Sequence, residues 1–270
     1  MKKHLLILSV LAFSLGQGSA QSSPTATPAA PLPRWTISVS AGGAFPAGKF
    51  GSQKVSDSTS SFAKIGPLVT VGLDYRLTPH YGLSLIIAGQ ENATDNKAIT
   101  QQLEGIHPGV QYDVNISKWK IGRALVGGWV ETALDRQKKW SLHVRLVAGT
   151  LMTKPPKSVM STSQFTSTGM AFSSSNLTYP KNLWAFAWQT GTGLKYTLTR
   201  HWSFHLDADY AASTISVSRS YHNISQTAVW VSGSFFYTPG TIAIISAPPS
   251  QTFKLPVNAL NLSAGAGFSF

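Results

Sequence analysis

The chain has no cysteine, only ten acidic residues among its 270, and no apolar run long enough to cross a bilayer as a helix. Each absence excludes something. Without cysteine no disulfide framework can hold an exported chain, and a lipoprotein anchor is not expected. Charged residues make up 12% of the chain, about half of the ~25% usual in soluble domains. Mean hydropathy is nevertheless only +0.02. A helical span needs about 20 consecutive apolar residues, and the longest block here, Leu5 to Leu15, is shorter. Ordinary solubility and helical insertion are both disfavoured. The 22 Lys and Arg give a formal charge of +12.

That apolar block has its own explanation. Met1-Lys2-Lys3-His4 is a basic start, residues 5–15 an apolar stretch, and Gly18-Ser19-Ala20 a small-residue cleavage site. This predicts a secretory signal peptide over residues 1–20. Residues 21–33, rich in Pro, Ala, Ser and Thr, predict a disordered spacer. Residues 34–270 then form one domain. An exported chain has no expected use for nucleic acid, despite the positive charge.

What the chain does have is alternation. Leu260, Leu262, Ala264, Ala266, Phe268 and Phe270 fall on one side of an extended strand, and Asn261, Ser263, Gly265, Gly267 and Ser269 on the other. The same period of two recurs over residues 34–45, 64–78, 81–92, 119–134, 140–152, 184–198, 202–210 and 257–270. The connections alternate between long and short. Residues 93–118, 153–183 and 211–256 are read as long loops, with strand-like pieces at 107–116 and 229–237. Aromatics gather at strand ends, among them Trp35, Tyr75, Tyr81, Trp140, Tyr196, Trp202 and Phe268. An even strand number, sorted loops and aromatic girdles predict an all-β, eight-stranded antiparallel up-and-down transmembrane β-barrel. The alternative, a soluble barrel, would carry a polar outer face.

The last eight residues, Ser263 to Phe270, resemble the polar-x-Gly-x-x-aromatic-x-aromatic signal of bacterial outer-membrane proteins. Gly265, Phe268 and Phe270 carry that match. The strand–turn–strand units at 73–85, 130–144 and 194–206 resemble small eight-stranded barrels of the OmpA/OmpX type. The resemblance implies an outer-membrane location in a Gram-negative cell, contact with outer-membrane lipid, and insertion by the barrel-assembly machinery. The chain departs from full-length OmpA proteins by ending at the barrel, so no periplasmic domain is expected, and a monomer is expected.

Strand parity places Asp74, Arg76, Arg123, Glu131, His143, Arg145, Lys195, His205, Asp207 and Asp209 inside the barrel. An eight-stranded barrel is just wide enough for side chains to fill. Four acids and four permanent bases there predict a paired polar network plugging the lumen. The positive excess then falls in loops and turns. His205, Asp207 and Asp209, near His143 and Arg145, also fit a metal site or a His/Asp catalytic pair. No cofactor is expected, and no enzymatic activity. His201-Trp202-Ser203-Phe204 lacks the Asn of the His-x-Ser-Asn pattern of barrel lipid A deacylases. Lys49, Lys54, Lys97, Lys154, Lys157 and Lys181 suit either lipopolysaccharide phosphates or simple loop solubility. The leading expectation is a structural or surface-interacting barrel, and the runner-up a small ligand-binding or transport barrel.

Overall fold

The computed structural model describes residues 33–57, 59–166, 169–178, 182–218, 220–231, 234–238 and 252–270. The expected signal peptide and all of the expected spacer except Pro33 lie outside the described residues. In chain order the elements are β1 (Trp35–Ala47), β2 (Gly66–Arg76), β3 (Tyr81–Asn92), α1 (Asn96–Ile106), β4 (Val110–Ile116), β5 (Trp119–Ala133) and β6 (Trp140–Lys154). They continue with β7 (Ser158–Thr166), β8 (Gly169–Thr178), β9 (Leu183–Thr197), β10 (Trp202–Ser218), β11 (Ser220–Val231), β12 (Ser234–Thr238) and β13 (Thr252–Ser269).

Eight of these strands close into an antiparallel barrel in the order β1-β13-β10-β9-β6-β5-β3-β2. The closing seam joins β1 to β13 from Thr36↔Ser269 to Ala47↔Asn258. Beyond it, Trp35 N–H donates to Phe270 O at 3.1 Å, and Phe270 N–H to Trp35 O at 2.9 Å. Closure removes both sheet edges. Each strand alternates as expected. Val39, Val71, Leu85, Val126, Leu146 and Leu206 stand exposed on the outer wall, and their neighbours in sequence turn inward. An exposed apolar belt all round a closed barrel is the surface that a bilayer covers. Among the described residues no helix is long and apolar enough to cross a membrane; the strands cross.

One end of the barrel has short turns, and two of them are built alike. In Leu77-Thr78-Pro79-His80-Tyr81, Thr78 Oγ1 accepts the His80 and Tyr81 N–H groups at 3.3 and 3.2 Å. In Leu198-Thr199-Arg200-His201-Trp202, Thr199 Oγ1 accepts those of His201 and Trp202 at 3.2 and 3.0 Å. A short hydroxyl side chain thereby satisfies turn N–H groups that the ladder leaves free. In the third turn Asp135 Oδ1 does the same for Trp140 N–H at 2.9 Å. Aromatic rings girdle this end: Trp35 against Tyr75 at 4.6 Å, Trp140 against Tyr196 at 4.8 Å, and Trp202 against Phe268 at 5.1 Å.

The long-loop end departs from expectation. Residues 153–183 are not a structureless loop. They carry β7 and β8, and residues 211–256 carry the extension of β10, then β11, β12 and the start of β13. Together with β4 these make a five-stranded sheet in the order β12-β11-β8-β7-β4. The expected hairpin at 229–237 is the β11–β12 pairing, Val229↔Phe236 to Val231↔Ser234. Segments such as SVMSTSQFT are polar on both faces, so they leave no apolar period to read. Residues 93–118 hold α1, which packs Ile99 against Phe62 and Val114. Asp95 caps it by accepting Ala98 N–H at 3.2 Å. The helix also covers the β4 edge. Tyr112 N–H donates to Glu104 Oε1, and Ile116 N–H to Asn96 Oδ1, on the side that β7 leaves unpaired.

Candidate functional site: the barrel lumen

Of the ten polar residues expected inside the barrel, Arg123, Asp207 and Asp209 are buried, and Asp74, Arg76, Glu131, His143, Arg145, Lys195 and His205 line one cavity. Register explains how they meet. β9 lies between β6 and β10, and Gly191 on β9 pairs with Arg145 on one side and Asp209 on the other. Gly193 pairs with His143 and Asp207 in the same way. A Cβ at Gly191 would overlap the Asp209 carboxylate, and one at Gly193 would overlap Asp207 Oδ1 and the His143 ring. Absence of side chains on β9 therefore lets β6 and β10 reach each other across it.

The middle of the lumen is a charge cluster. Arg145 grips Asp209 in a fork, Nε to Oδ1 at 3.0 Å and Nη2 to Oδ2 at 2.6 Å. The same Nη2 lies 3.6 Å from Asp207 Oδ2. His143 Nε2 stands 3.0 Å from Asp207 Oδ1, and His205 Nε2 stands 3.6 Å from Asp207 Oδ2. Both aspartate side chains are under 5% exposed, so these partners, not water, supply their stabilisation. Toward the short turns a second cluster forms on Glu131. Arg76 Nη2 reaches its Oε2 at 3.2 Å, Lys195 Nζ at 3.4 Å, and Ser141 Oγ donates to its Oε1 at 2.7 Å. The Arg76 guanidinium also lies 5.3 Å from the centre of the Trp129 ring.

Arg123 lies outside the direct contacts of both clusters, with Asp209 near enough to act on it through charge alone. It is buried, and its Nη2 donates to Gln90 Oε1 at 2.6 Å. Gln90 in turn donates to Asn92 Oδ1 at 2.8 Å, and Asn92 to Lys64 O at 2.8 Å. This arginine is held by neutral amides.

Sequence reasoning missed what fills the other half. On the long-loop side many inward residues are apolar: Leu68, Ile86, Ile121, Leu125, Val147, Leu151, Ile215, Val217, Leu255 and Val257 form one buried cluster, beside the buried Arg123, Gln90 and Asn92. Phe50, from the segment after β1, is fully buried in it and meets Trp119 edge-on at 5.5 Å. The signal was present. Residues 144–152 are apolar on both faces apart from Arg145, Gly149 and Thr150, the pattern of a strand buried on both sides. The lumen is thus filled along its length, largely apolar toward the long loops, with the Arg123–Gln90–Asn92 chain embedded there, and ion-paired toward the short turns. A cavity of about 60 Å³ beside the charged clusters has room for a few waters.

Chemically, the cluster has little freedom. Asp209 is taken on both oxygens by Arg145, and His205 faces Asp207 instead. Among the described residues no group of three or more His, Asp or Glu side chains is arranged to hold a metal ion. The residues of the terminal pattern lie on the closing seam. Gly265 sits where a Cβ would overlap Val39 O, while Phe268 and Phe270 stack at 6.3 Å on the outer rim. Of the lysines read as possible lipid contacts, Lys49 pairs with Asp57, and Lys54, Lys97, Lys154 and Lys157 lie at the long-loop end. Lys181 lies outside the described residues.

Several solved structures are similar to the chain. Outer membrane protein OprG from Pseudomonas aeruginosa is 12% identical, covering 88% of this chain and 96% of its own, with a TM-score of 0.46. Ail, the attachment invasion locus protein of Yersinia pestis, is 12% identical over 88% and 99%, with a TM-score of 0.38. Outer Membrane Protein W of E. coli is 13% identical over 88% and 98%, with a TM-score of 0.34. At such identities the likeness is one of fold. No protein-family model matches the chain, and no curated protein matches it.

Proposed function

We propose that this is a non-enzymatic, integral outer-membrane barrel whose axis is sealed and whose role is carried by the sheet and loops it holds at the cell surface. The filled lumen supports this reading. A solute passing along the axis would have to displace a packed, largely apolar core and then break the Arg145–Asp209 fork, which is a buried pair. The long-loop end is read as extracellular, because such barrels keep short turns on the periplasmic side. There the chain invests in an ordered five-stranded sheet with a helix on one edge. The exposed rings of Phe268 and Phe270 serve as interfacial anchors and as the address read by the assembly machinery. The full-length protein in planar bilayers is expected to show no stable conductance, while its unheated form migrates as a compact barrel on gels. Large, long-lived conductance steps would refute the sealed axis.

A second reading, a barrel that binds a small apolar molecule, is favoured by one observation. The extracellular half of the lumen is largely apolar, and Phe50, which comes from a loop, is buried in its apolar cluster. Displacing that ring would open an apolar pocket under the loops. An apolar fluorophore should then take energy from Trp119 more efficiently in Phe50→Ala than in the native protein. Equal and negligible transfer in both would remove this reading.

A further inference from the structure

On the outer wall, near the long-loop end, basic residues crowd one place. Glu91 on β3, Lys120 on β5 and Lys154 on β6 are direct register neighbours, Glu91↔Lys120 and Lys120↔Lys154. Lys118 and Lys120 both reach Glu91, at 3.7 and 3.5 Å. Lys120 and Lys154 are therefore like charges directly opposite on adjacent strands, a placement that weakens a sheet unless a counter-charge joins them. Glu91 is the one carboxylate paired with this group among the described residues, so the group keeps a positive excess.

One row toward the short turns the wall is hollow. Gly89 and Gly122 are register partners, with Val69 beyond the first and Met152 beyond the second. A Cβ at Gly89 would meet nothing within 4 Å, and one at Gly122 only Met152 O at 3.9 Å. Packing does not demand glycine at either position. Their effect is a groove lined by Pro67, Val69, Gly122 and Met152, with Lys120 and Lys154 at its head. It opens among exposed apolar side chains, Val69 and Ile87, on the lipid-facing belt.

We propose that this groove binds one lipopolysaccharide molecule of the outer leaflet, its phosphates on Lys118, Lys120 and Lys154 and an acyl chain in the Gly89–Gly122 slot. The inference rests on the extracellular reading of the long-loop end. Ammonium groups over an apolar groove match a phosphorylated headgroup over acyl chains. Strands lie about 4.8 Å apart, so Lys120 and Lys154 can hold one phosphate between them, and a doubly charged phosphate monoester on a lipopolysaccharide headgroup suits them better than a singly charged phosphodiester. Each charge near a membrane surface contributes modestly, and two together set an affinity change of roughly tenfold or more.

The test uses the full chain folded in detergent micelles and titrated with labelled lipopolysaccharide. The native protein should bind it, and K120Q/K154Q should bind at least about tenfold more weakly. Gly122→Leu, which fills the slot with all lysines intact, should also weaken binding, while K138Q/K139Q at the opposite end should not. Unchanged binding by K120Q/K154Q, or equal binding of dephosphorylated lipopolysaccharide or of phosphatidylglycerol vesicles, would overturn the proposal. Heat-modifiable gel mobility reports the barrel separately. Its absence in the native chain would fault the barrel reading, its retention beside unaltered lipid binding would fault the lipid site alone, and its loss in K120Q/K154Q would leave Gly122→Leu to decide.

Discussion

Replacing Arg145 by methionine keeps most of the side-chain volume and removes the charge that two buried aspartates share. Asp209 loses both arms of its fork, at 3.0 and 2.6 Å, and Asp207 loses a contact at 3.6 Å. Breaking a buried pair by removing one partner costs about 3–5 kcal/mol, because the remaining charge is left uncompensated. Arg145→Met falls at the upper end of that range, since it strands two carboxylates, leaving Asp207 with His143 and His205 and Asp209 with Arg123 at longer range. Asp209→Asn should cost less: Arg145 retains Asp207, and the new amide can still accept from Nε. Combining Arg145→Met with Asp209→Leu removes the charge from both sides of the fork and should recover a large part of the loss. The assay is urea unfolding of the protein in lipid vesicles near pH 7, followed by tryptophan fluorescence, for all three variants. The reasoning fails if Arg145→Met unfolds within about 1 kcal/mol of the native protein, the worth of a solvated surface pair. It fails equally if the double variant is no more stable than Arg145→Met alone.

Three further outcomes follow from particular contacts. Gly191→Ala and Gly193→Ala each push a Cβ into the carboxylates that meet over β9, so each should cost about 1–3 kcal/mol in the same unfolding assay. In the segment after β1, Lys49 and then Thr59 hold the Asp57 carboxyl below the usual carboxylate range. Its contribution to local order is full above the ordinary value of 3.8 and is lost as the pH falls through the depressed one. Amide exchange over residues 49–61, corrected for intrinsic rates, should therefore be level from about pH 7 to pH 5 and accelerate below about pH 4, and Asp57→Asn should abolish that step. Deleting Phe270, or changing Gly265 together with Phe268, should lower the amount of folded barrel in the outer membrane without lowering export, as fractionation would show; native levels would count against an assembly role.

The barrel was legible because its strands face two solvents that differ sharply. β3 was expected over residues 81–92 and spans Tyr81–Asn92, since lipid on one side and a lumen on the other impose a clean period of two. Where that contrast vanishes, so does the signal. Ser158–Thr166 and Gly169–Thr178 stand beyond the belt, and with Ser and Thr at both parities their sequence reads as loop. α1 was missed although Asp95 marks its start, because its apolar face is only as wide as Ile99 and a few neighbours need. Inside the barrel, parity identified which residues point inward and nothing about their heights. That Arg145 meets Asp209, while Arg123 meets Gln90, depends on register across β9 and β3, which no single strand encodes. The apolar half of the lumen was overlooked for a simpler reason. Ile215, Val217 and Leu255 lie in a stretch that reads as loop, while Leu68, Ile86, Ile121, Leu125, Val147, Leu151 and Val257 face inward on expected strands, where charged neighbours draw the reading away from them.

The two halves of the lumen resist opening in different ways, and this constrains any traffic through the wall. Opening the apolar half exposes carbon surface, at about 25 cal/mol per Å², and a guest of similar polarity returns that energy by covering the same surface. Phe50 sits on a connection outside the barrel's strands, so its withdrawal breaks no ladder hydrogen bond. Opening the ion-paired half separates buried charges, and an apolar guest offers nothing in exchange. Gly191 and Gly193 strengthen that barrier, because they bring the paired groups of β6 and β10 into contact over β9. An apolar molecule that enters from the long-loop side therefore finds apolar surface beside the Arg123–Gln90–Asn92 chain and no favourable step beyond the Arg145–Asp209 fork. It must return, or leave sideways between strands, and the axial route stays shut for apolar and ionic solutes alike.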